Sequence, residues 1–162
     1  MINYLSFEEI EIINKLVLEI TDEKFQLERE DDILSIIEFV RNNFDDDLFK
    51  KALAYCIALI VLHPFKEGNH RTSLISAEEF LIKNGFFTGV SDIERLKLQK
   101  WRLEYGEKND LEREFFRIAC IEHIDKRNEK IMEMMNSKYG QMIENWLKTN
   151  YRVKTNEPSH RI

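Results

Sequence analysis

His63 to Leu74 reads H-P-F-K-E-G-N-H-R-T-S-L, and the segments flanking it decide how those residues are presented. On the N-terminal side, Ala52 to Leu62 is apolar nearly all round, the pattern of a helix enclosed by the rest of the molecule. On the C-terminal side, Arg71 to Asn84 carries Leu74, Ile75, Ala77 and Leu81 as core positions, with Gly85 placed to cap a helix. Pro64 ends the first of these helices, because the residue before a proline is pushed out of the α region. His63 therefore opens a bent loop at a helix end, and Phe65 is expected to plug into the core and anchor that loop.

The residue types in this loop suit a metal-bound phosphate. His63 can act as a base, since imidazole is the side chain whose unperturbed pKa lies nearest neutrality. Glu67 offers hard oxygen to Mg²⁺, which takes one or two carboxylates and leaves its other positions to phosphate and water. Gly68, Asn69 and His70 come just before a new helix, where unpaired N–H groups and the positive dipole end make an anion nest. Arg71, always charged, can grip phosphate oxygens through paired hydrogen bonds, and Lys66 adds a second cation nearby.

The stretch closely resembles the signature of the Fic/Doc family, H-P-F-x-[D/E]-G-N-[G/K]-R, in the Doc-like form followed by R-T-A-L. The match runs through His63, Pro64, Phe65, Glu67, Gly68, Asn69, Arg71, Thr72 and Leu74. Outside the motif, Leu5 to Glu9, Asp47-Leu48-Phe49, Phe80-Leu81 and Asn84-Gly85 follow the family order, so the resemblance covers about Leu5 to Val90 and weakens towards His123. It implies an all-α fold, a Mg²⁺-bound nucleotide such as ATP as donor, and transfer of a phosphate-containing group to a hydroxyl of a target protein. In those terms His63 is the base, Glu67 the metal ligand, Gly68, Asn69 and His70 the nest, and Arg71 the phosphate clamp.

His70 and Leu74 depart from the family pattern. Most Fic members carry Gly at the first position and many Doc-like members Lys, so the nest here is narrower and its charge is expected to follow pH, with transfer weakening above about pH 6.5. AMP-transferring members carry a second arginine where Leu74 stands, holding the distal phosphates. Both departures lean towards the Doc-like branch and phosphoryl transfer, with AMP transfer and an inactive nucleotide-binding regulatory module as alternatives. Many relatives are restrained by a helix bearing [S/T]-x-x-x-E-[G/N]. Glu144-Asn145 has Gly140 at the Ser/Thr place and Leu74 opposite, so self-inhibition is not expected. Any restraint would come from a separate antitoxin-like protein, as the Doc-like resemblance implies for a toxin. A zinc hydrolase using His63, Glu67 and His70 is a rival, against which stands the helix spacing that zinc sites usually show.

Composition agrees with a helical protein. The chain has 162 residues, 43% hydrophobic, with only five glycines and two prolines, which favours long helices over many short strands. Thirty acidic against 24 basic side chains, a net charge of -6, argue against a general nucleic-acid surface. Cys56 and Cys120 lie in helical stretches without C-x-x-C spacing and read as buried thiols. The start lacks the basic and apolar regions of a signal peptide. The Ala52 to Leu62 run falls short of the ~20 residues a bilayer span needs, so the expectation is a cytoplasmic protein with no membrane contact.

Ile10, Ile13, Val17 and Ile20 mark one face of a first helix. Ile33 to Val40 is a second, Asp45 to Asp47 offer N-caps for the third, and Ser91 with Glu94 has capping-box spacing for a fifth running to Gly106. A sixth is expected from Asp110 to Lys148 with a break around Gly140, followed by a polar tail from Thr149 to Ile162. The connector from Asp22 to Glu30 lacks the glycines usual in Doc-like proteins. Its Phe25 and Leu27 alternate with polar residues as in a short strand, which would make it a flap; most of its charges suit a solvated loop. The organisation is thus a Fic/Doc-like domain over residues 1–125 and a helical extension with tail over 126–162. In the extension Ile131, Met135, Tyr139, Met142 and Trp146 form an apolar seam, which serves either as added core or as a partner or homodimer surface through residues 126–148.

Overall fold

The computed structural model describes residues 1–153. Its helices, in chain order, are α1 (Phe7–Thr21), α2 (Glu30–Asn42), α3 (Leu48–Leu62), α4 (Asn69–Lys83), α5 (Asp92–Lys108), α6 (Leu111–Ala119), α7 (Ile124–Asn136) and α8 (Lys138–Asn150). Short strands β1 (Phe86–Thr88) and β2 (Tyr151–Val153) pair antiparallel, with Phe87 opposite Arg152. The fold is all-α apart from this ribbon.

The all-round apolar stretch becomes the axis. Every residue from Lys51 to Leu62 is buried in α3, which packs most extensively on α4 and is further enclosed by α2, α6, α7 and α8. Asp47 caps its start by accepting a hydrogen bond from the Lys50 N–H at 3.0 Å. Lys51, the polar exception inside the core, directs its ammonium to the end of α2 and donates to the carbonyls of Val40 and Asn43 at 2.8 and 2.7 Å. Those are C-terminal carbonyls with no helical partner, so the charge meets the negative end of a dipole. At α1 the Ser6 hydroxyl and Glu9 carboxylate complete a reciprocal capping box.

The chain beyond α5 differs from the expectation of one interrupted helix. It breaks between Ala119 and Ile124 and again at Ser137, giving three helices. Ser137, not Gly140, is the corner: its hydroxyl accepts from the Gly140 N–H at 3.3 Å and so starts α8. Gly140 lets that corner close, since a Cβ there would lie 2.2 Å from the Met135 carbonyl oxygen. The seam is accordingly split between α7 and α8. Ile131, Met135 and Tyr139 are buried against the α3 core, while Met142, 39% exposed, and the partly buried Trp146 are what remains of it for a partner.

The expected tail also starts too early. Tyr151 is 2% exposed; β2 pairs with β1, and the Tyr151 hydroxyl donates to Glu78 of α4, which also accepts from Arg95 at 2.9 Å. The remainder of the tail, 154–162, lies outside the described residues. Cys56 is buried as expected, whereas Cys120 caps α6 at the surface, and both are free thiols. Glu144 is buried on α8 and held by Lys50 at 2.7 Å and Lys148 at 2.9 Å, which ties α8 to α3. Among the described residues no helix is long and apolar enough to cross a membrane.

Gly140→Ala should destabilise the fold by about 1–3 kcal/mol, the usual range for forcing atoms into a filled space. Urea unfolding checks this through a lowered midpoint at unchanged slope.

Candidate active site

The loop between α3 and α4 is held from three sides. His63 ends α3 in a left-handed conformation, φ 52°, with its N–H bonded to the Leu59 carbonyl at 3.0 Å and its side chain exposed. Two residues on, Phe65 is fully buried and packs on Phe25 of the connector, ring centroids 5.9 Å apart. The connector runs alongside as an extended segment: Glu28 and Arg29 donate their N–H groups to the Pro64 carbonyl at 2.9 and 3.0 Å, Lys66 donates to Gln26 at 3.0 Å, and Leu27 bridges Phe65. The alternation of Phe25 and Leu27 thus does place a strand-like edge beside the loop.

Asn69 supplies the third hold. Its amide accepts from the Phe65 N–H at 3.1 Å and donates to the Phe65 carbonyl at 2.7 Å, so its side chain braces the loop and only its backbone N–H is left for the nest. Gly68 precedes it at φ 78°, and a Cβ there would meet Leu18, Asn14 and Val17 at 3.1 to 3.3 Å, so both conformation and space call for glycine. The first backbone bond of α4 runs from Thr72 to Gly68 at 2.9 Å. The N–H groups of Asn69, His70 and Arg71 precede that ladder and form the positive end of a helix of 15 residues.

His63 and His70 line a common cavity of about 350 Å³ with Glu28, Arg29, Glu112 and Phe115. A larger one of about 490 Å³, walled by Arg102, Glu107 and Tyr139, shares His70, Glu112 and Phe115 with it. The smaller cavity is the one that His63, the candidate base, lines, which makes it the candidate reaction site. Glu67 is exposed and lines neither cavity, and its carbonyl is fixed by the Asn14 amide at 2.9 Å.

Two residues behave otherwise than expected. His70 was to carry a pH-dependent charge near neutrality; burial, then Arg102, then His63 push its pKa down to about 4, so it is neutral at pH 7. Its Nδ1 is buried without a hydrogen-bond partner among the described residues; a neutral imidazole carries its hydrogen on either ring nitrogen, and with the hydrogen on Nδ1 this atom is a donor that a phosphate oxygen can accept. Arg71, expected to be free for phosphate, is engaged: it donates to the Val17 carbonyl at 2.9 Å, the Thr21 hydroxyl at 3.2 Å and Glu23 at 2.8 Å. The Thr21 hydroxyl first and Arg71 second hold the Glu23 carboxyl below its usual range.

Asn14, Glu23 and Arg102 escaped the sequence reading. Asn14 carried a signal, a polar residue between Ile10 and Val17 on the buried face of α1, where it binds Glu67 and the Thr72 hydroxyl, the latter at 3.1 Å. Glu23 and Arg102 carried none, being charges among many on surface-like segments.

Residues 4–81, which include the whole loop and its braces from α1, match the sequence model of the Fic/DOC family. This segment belongs to the Fic/DOC family. No curated protein and no solved structure matches the chain. Fic/DOC proteins transfer nucleotide-derived groups to proteins, typically from a nucleoside triphosphate with Mg²⁺. The residues present fit such a ligand: an exposed carboxylate at Glu67, a glycine-built helix start, and the orphaned His70 Nδ1. A three-ligand zinc site is not formed, as no three His, Cys, Asp or Glu side chains gather among the described residues.

His70 is depressed in the fold, so its contribution to stability is full above the unfolded imidazole value of 6.5 and is lost as pH falls towards about 4. The loss should reach about 3 kcal/mol at about 1.36 kcal/mol per pKa unit, and His70→Gln should flatten that part of a melting-temperature profile against pH. Glu23→Gln releases Arg71 from an exposed ion pair and should tighten Mg-ATP binding about two- to fivefold by calorimetry, in keeping with the small worth of such pairs.

Proposed function

We propose that this protein moves the γ-phosphoryl group of a Mg²⁺-bound nucleoside triphosphate, ATP in the first instance, to a hydroxyl of a target protein, as a Doc-like toxin restrained by a separate antitoxin. The observation that carries the choice of group is Leu74. It is 2% exposed in the core behind the first turn of α4, so the position offers no cation to the distal phosphates. A triphosphate tail laid against an apolar wall would lose its hydration without compensation. The terminal phosphate therefore takes the nest, and the nucleoside lies away from it.

His63 stands at the mouth of the cavity, where it takes the proton from the acceptor hydroxyl as that oxygen bonds to the γ-phosphorus. The bond from phosphorus to the β,γ-bridging oxygen breaks, and the nucleoside diphosphate leaves. The N–H groups of Asn69, His70 and Arg71 hold the transferred oxygens, and the Arg71 guanidinium joins them on exchanging Glu23 for phosphate. A Mg²⁺ held by Glu67 would neutralise charge on the leaving group. Positioning and charge stabilisation do most of the work in such transfers. Since His70 is already neutral, transfer does not weaken above pH 6.5 on its account, and the alkaline limb expected from a protonated His70 is withdrawn.

His63→Ala should leave nucleotide binding near wild type and lower transfer by about 10² to 10⁴, the usual worth of a general base. Mass spectrometry of proteins from cells expressing the chain decides the group: one added phosphate supports this reading, whereas a nucleoside monophosphate reverses the nucleotide's orientation. Absence of any adduct together with intact Mg-ATP binding would leave a nucleotide-dependent binding module.

A further inference from the structure

The cations around the start of α4 are few once their partners are counted. Arg71 is paired with Glu23, His70 is neutral, and Lys66 points from the exposed part of the loop. Arg29, which lines the smaller cavity, is about half exposed and lies 3.9 Å from the Asp32 carboxylate. Arg102 of α5 is the buried one that touches the first turn of α4. It is 1% exposed, the largest fully enclosed side chain of the protein's described residues.

Its surroundings are unusual for a buried charge. The guanidinium donates to the Tyr139 hydroxyl at 2.8 Å, the Gln99 side-chain oxygen at 2.9 Å, the Ser73 hydroxyl at 3.0 Å and the His70 carbonyl at 3.2 Å. All four acceptors are uncharged. Among the described residues no carboxylate pairs with it, although buried charges in proteins are ordinarily paired. The hydrogen bonds satisfy its donors and leave its charge without a counter-ion. That charge sits against the first turn of α4, one side of it on the His70 carbonyl, and it walls the larger cavity beside His70. Its reach into the site is seen at the His70 imidazole, where it is the second cause of the lowered pKa.

We infer that Arg102 is a positioning residue for phosphate: it fixes the first turn of α4 through the His70 carbonyl and supplies, from behind the nest, the positive charge that Leu74 does not. The inference rests on the nucleotide reading above. A counter-ion is missing because the anion that completes the pair is the ligand. In a low-dielectric setting the field of such a charge falls off slowly, so direct contact with the phosphate is not required. The competing role is that of a strut joining α5 to α4 and α8, in which the shape and hydrogen bonds of Arg102 matter and its charge does not.

Charge and shape are separable by substitution. Arg102→Gln keeps a donor and removes the charge; Arg102→Lys keeps the charge and removes the fork. With folding checked by circular dichroism, affinities for Mg-ATP, sodium tripolyphosphate and adenosine are measured on each. The inference expects Arg102→Gln to weaken both phosphate ligands tenfold or more and to leave adenosine unchanged, with Arg102→Lys retaining most phosphate affinity even where its melting temperature falls. A folded Arg102→Gln that binds tripolyphosphate like wild type overturns it. The wild-type chain gives a reading that needs no variant: the buried Arg102 Nε–H resonance should shift on saturation with tripolyphosphate, and an unmoved resonance also overturns it. Wild-type protein that binds neither Mg-ATP nor tripolyphosphate removes the nucleotide reading itself, an outcome distinct from normal binding that ignores Arg102.

Discussion

The brace between Asn69 and Phe65 is the contact on which the rest of the site depends. Phe65 must be buried to seal the gap between α3 and α4, and burying it carries a backbone N–H and carbonyl into a place water does not reach. One amide side chain satisfies both. Leaving either unpaired costs about 1–3 kcal/mol, so the pair together is a large share of the ~5–15 kcal/mol by which a domain is stable. Because Asn69 is also the first residue of α4, the bond that seals the loop aligns the helix start as well. The position of His63 relative to the nest follows, since both ends of a six-residue turn are then fixed on buried helices.

The charges of the site follow from burial in the same way. An imidazole at position 70 lies beneath the nest with Arg102 behind it, and both the loss of water and the nearby cation favour its neutral form. A lysine in its place would bring a charge into this same space. Here the charge resides on α5, outside the motif. On the reading of Arg102 proposed above, a neutral ring in front and a cation behind would divide between two residues what one side chain does in the sequence pattern.

Local pattern carried the helices of the first half because each signal there was complete within a few residues. Asp47 caps the helix it precedes, Pro64 ends α3, and the apolar girth of Ala52 to Leu62 made it the axis. The loop residues were legible for the same reason, as their spacing along the chain is their spacing in the site. What escaped was choice of partner across distance. The Ile131 to Trp146 periodicity survives a corner at Ser137 because α7 and α8 present their apolar faces to one core, so periodicity could not locate the break. Tyr151 looked like tail until Glu78, far off in sequence, gave its hydroxyl a buried acceptor. Arg71 lies in the first turn of α4 as expected, yet its guanidinium is bound to Val17, Thr21 and Glu23, and Glu23 is one of many acidic residues in a charged connector that nothing local distinguishes.

That connector does two mechanical jobs with different strengths, and the difference bears on how the site opens. From Gln26 to Arg29 it is stitched to the loop by backbone hydrogen bonds and by Leu27 beside Phe65, an arrangement that water competes with poorly where Phe25 covers it. Glu23, at the other end, holds Arg71 through an ion pair whose members are each about one-third exposed. Such a pair contributes little net stability, because its members are almost as well served by water. A phosphate that reached Arg71, as proposed, would therefore meet a weak competitor for it and a rigid frame for the loop. The arginine can change partners while the Pro64 carbonyl keeps both of its donors, so such a side-chain exchange would leave the folded turn intact.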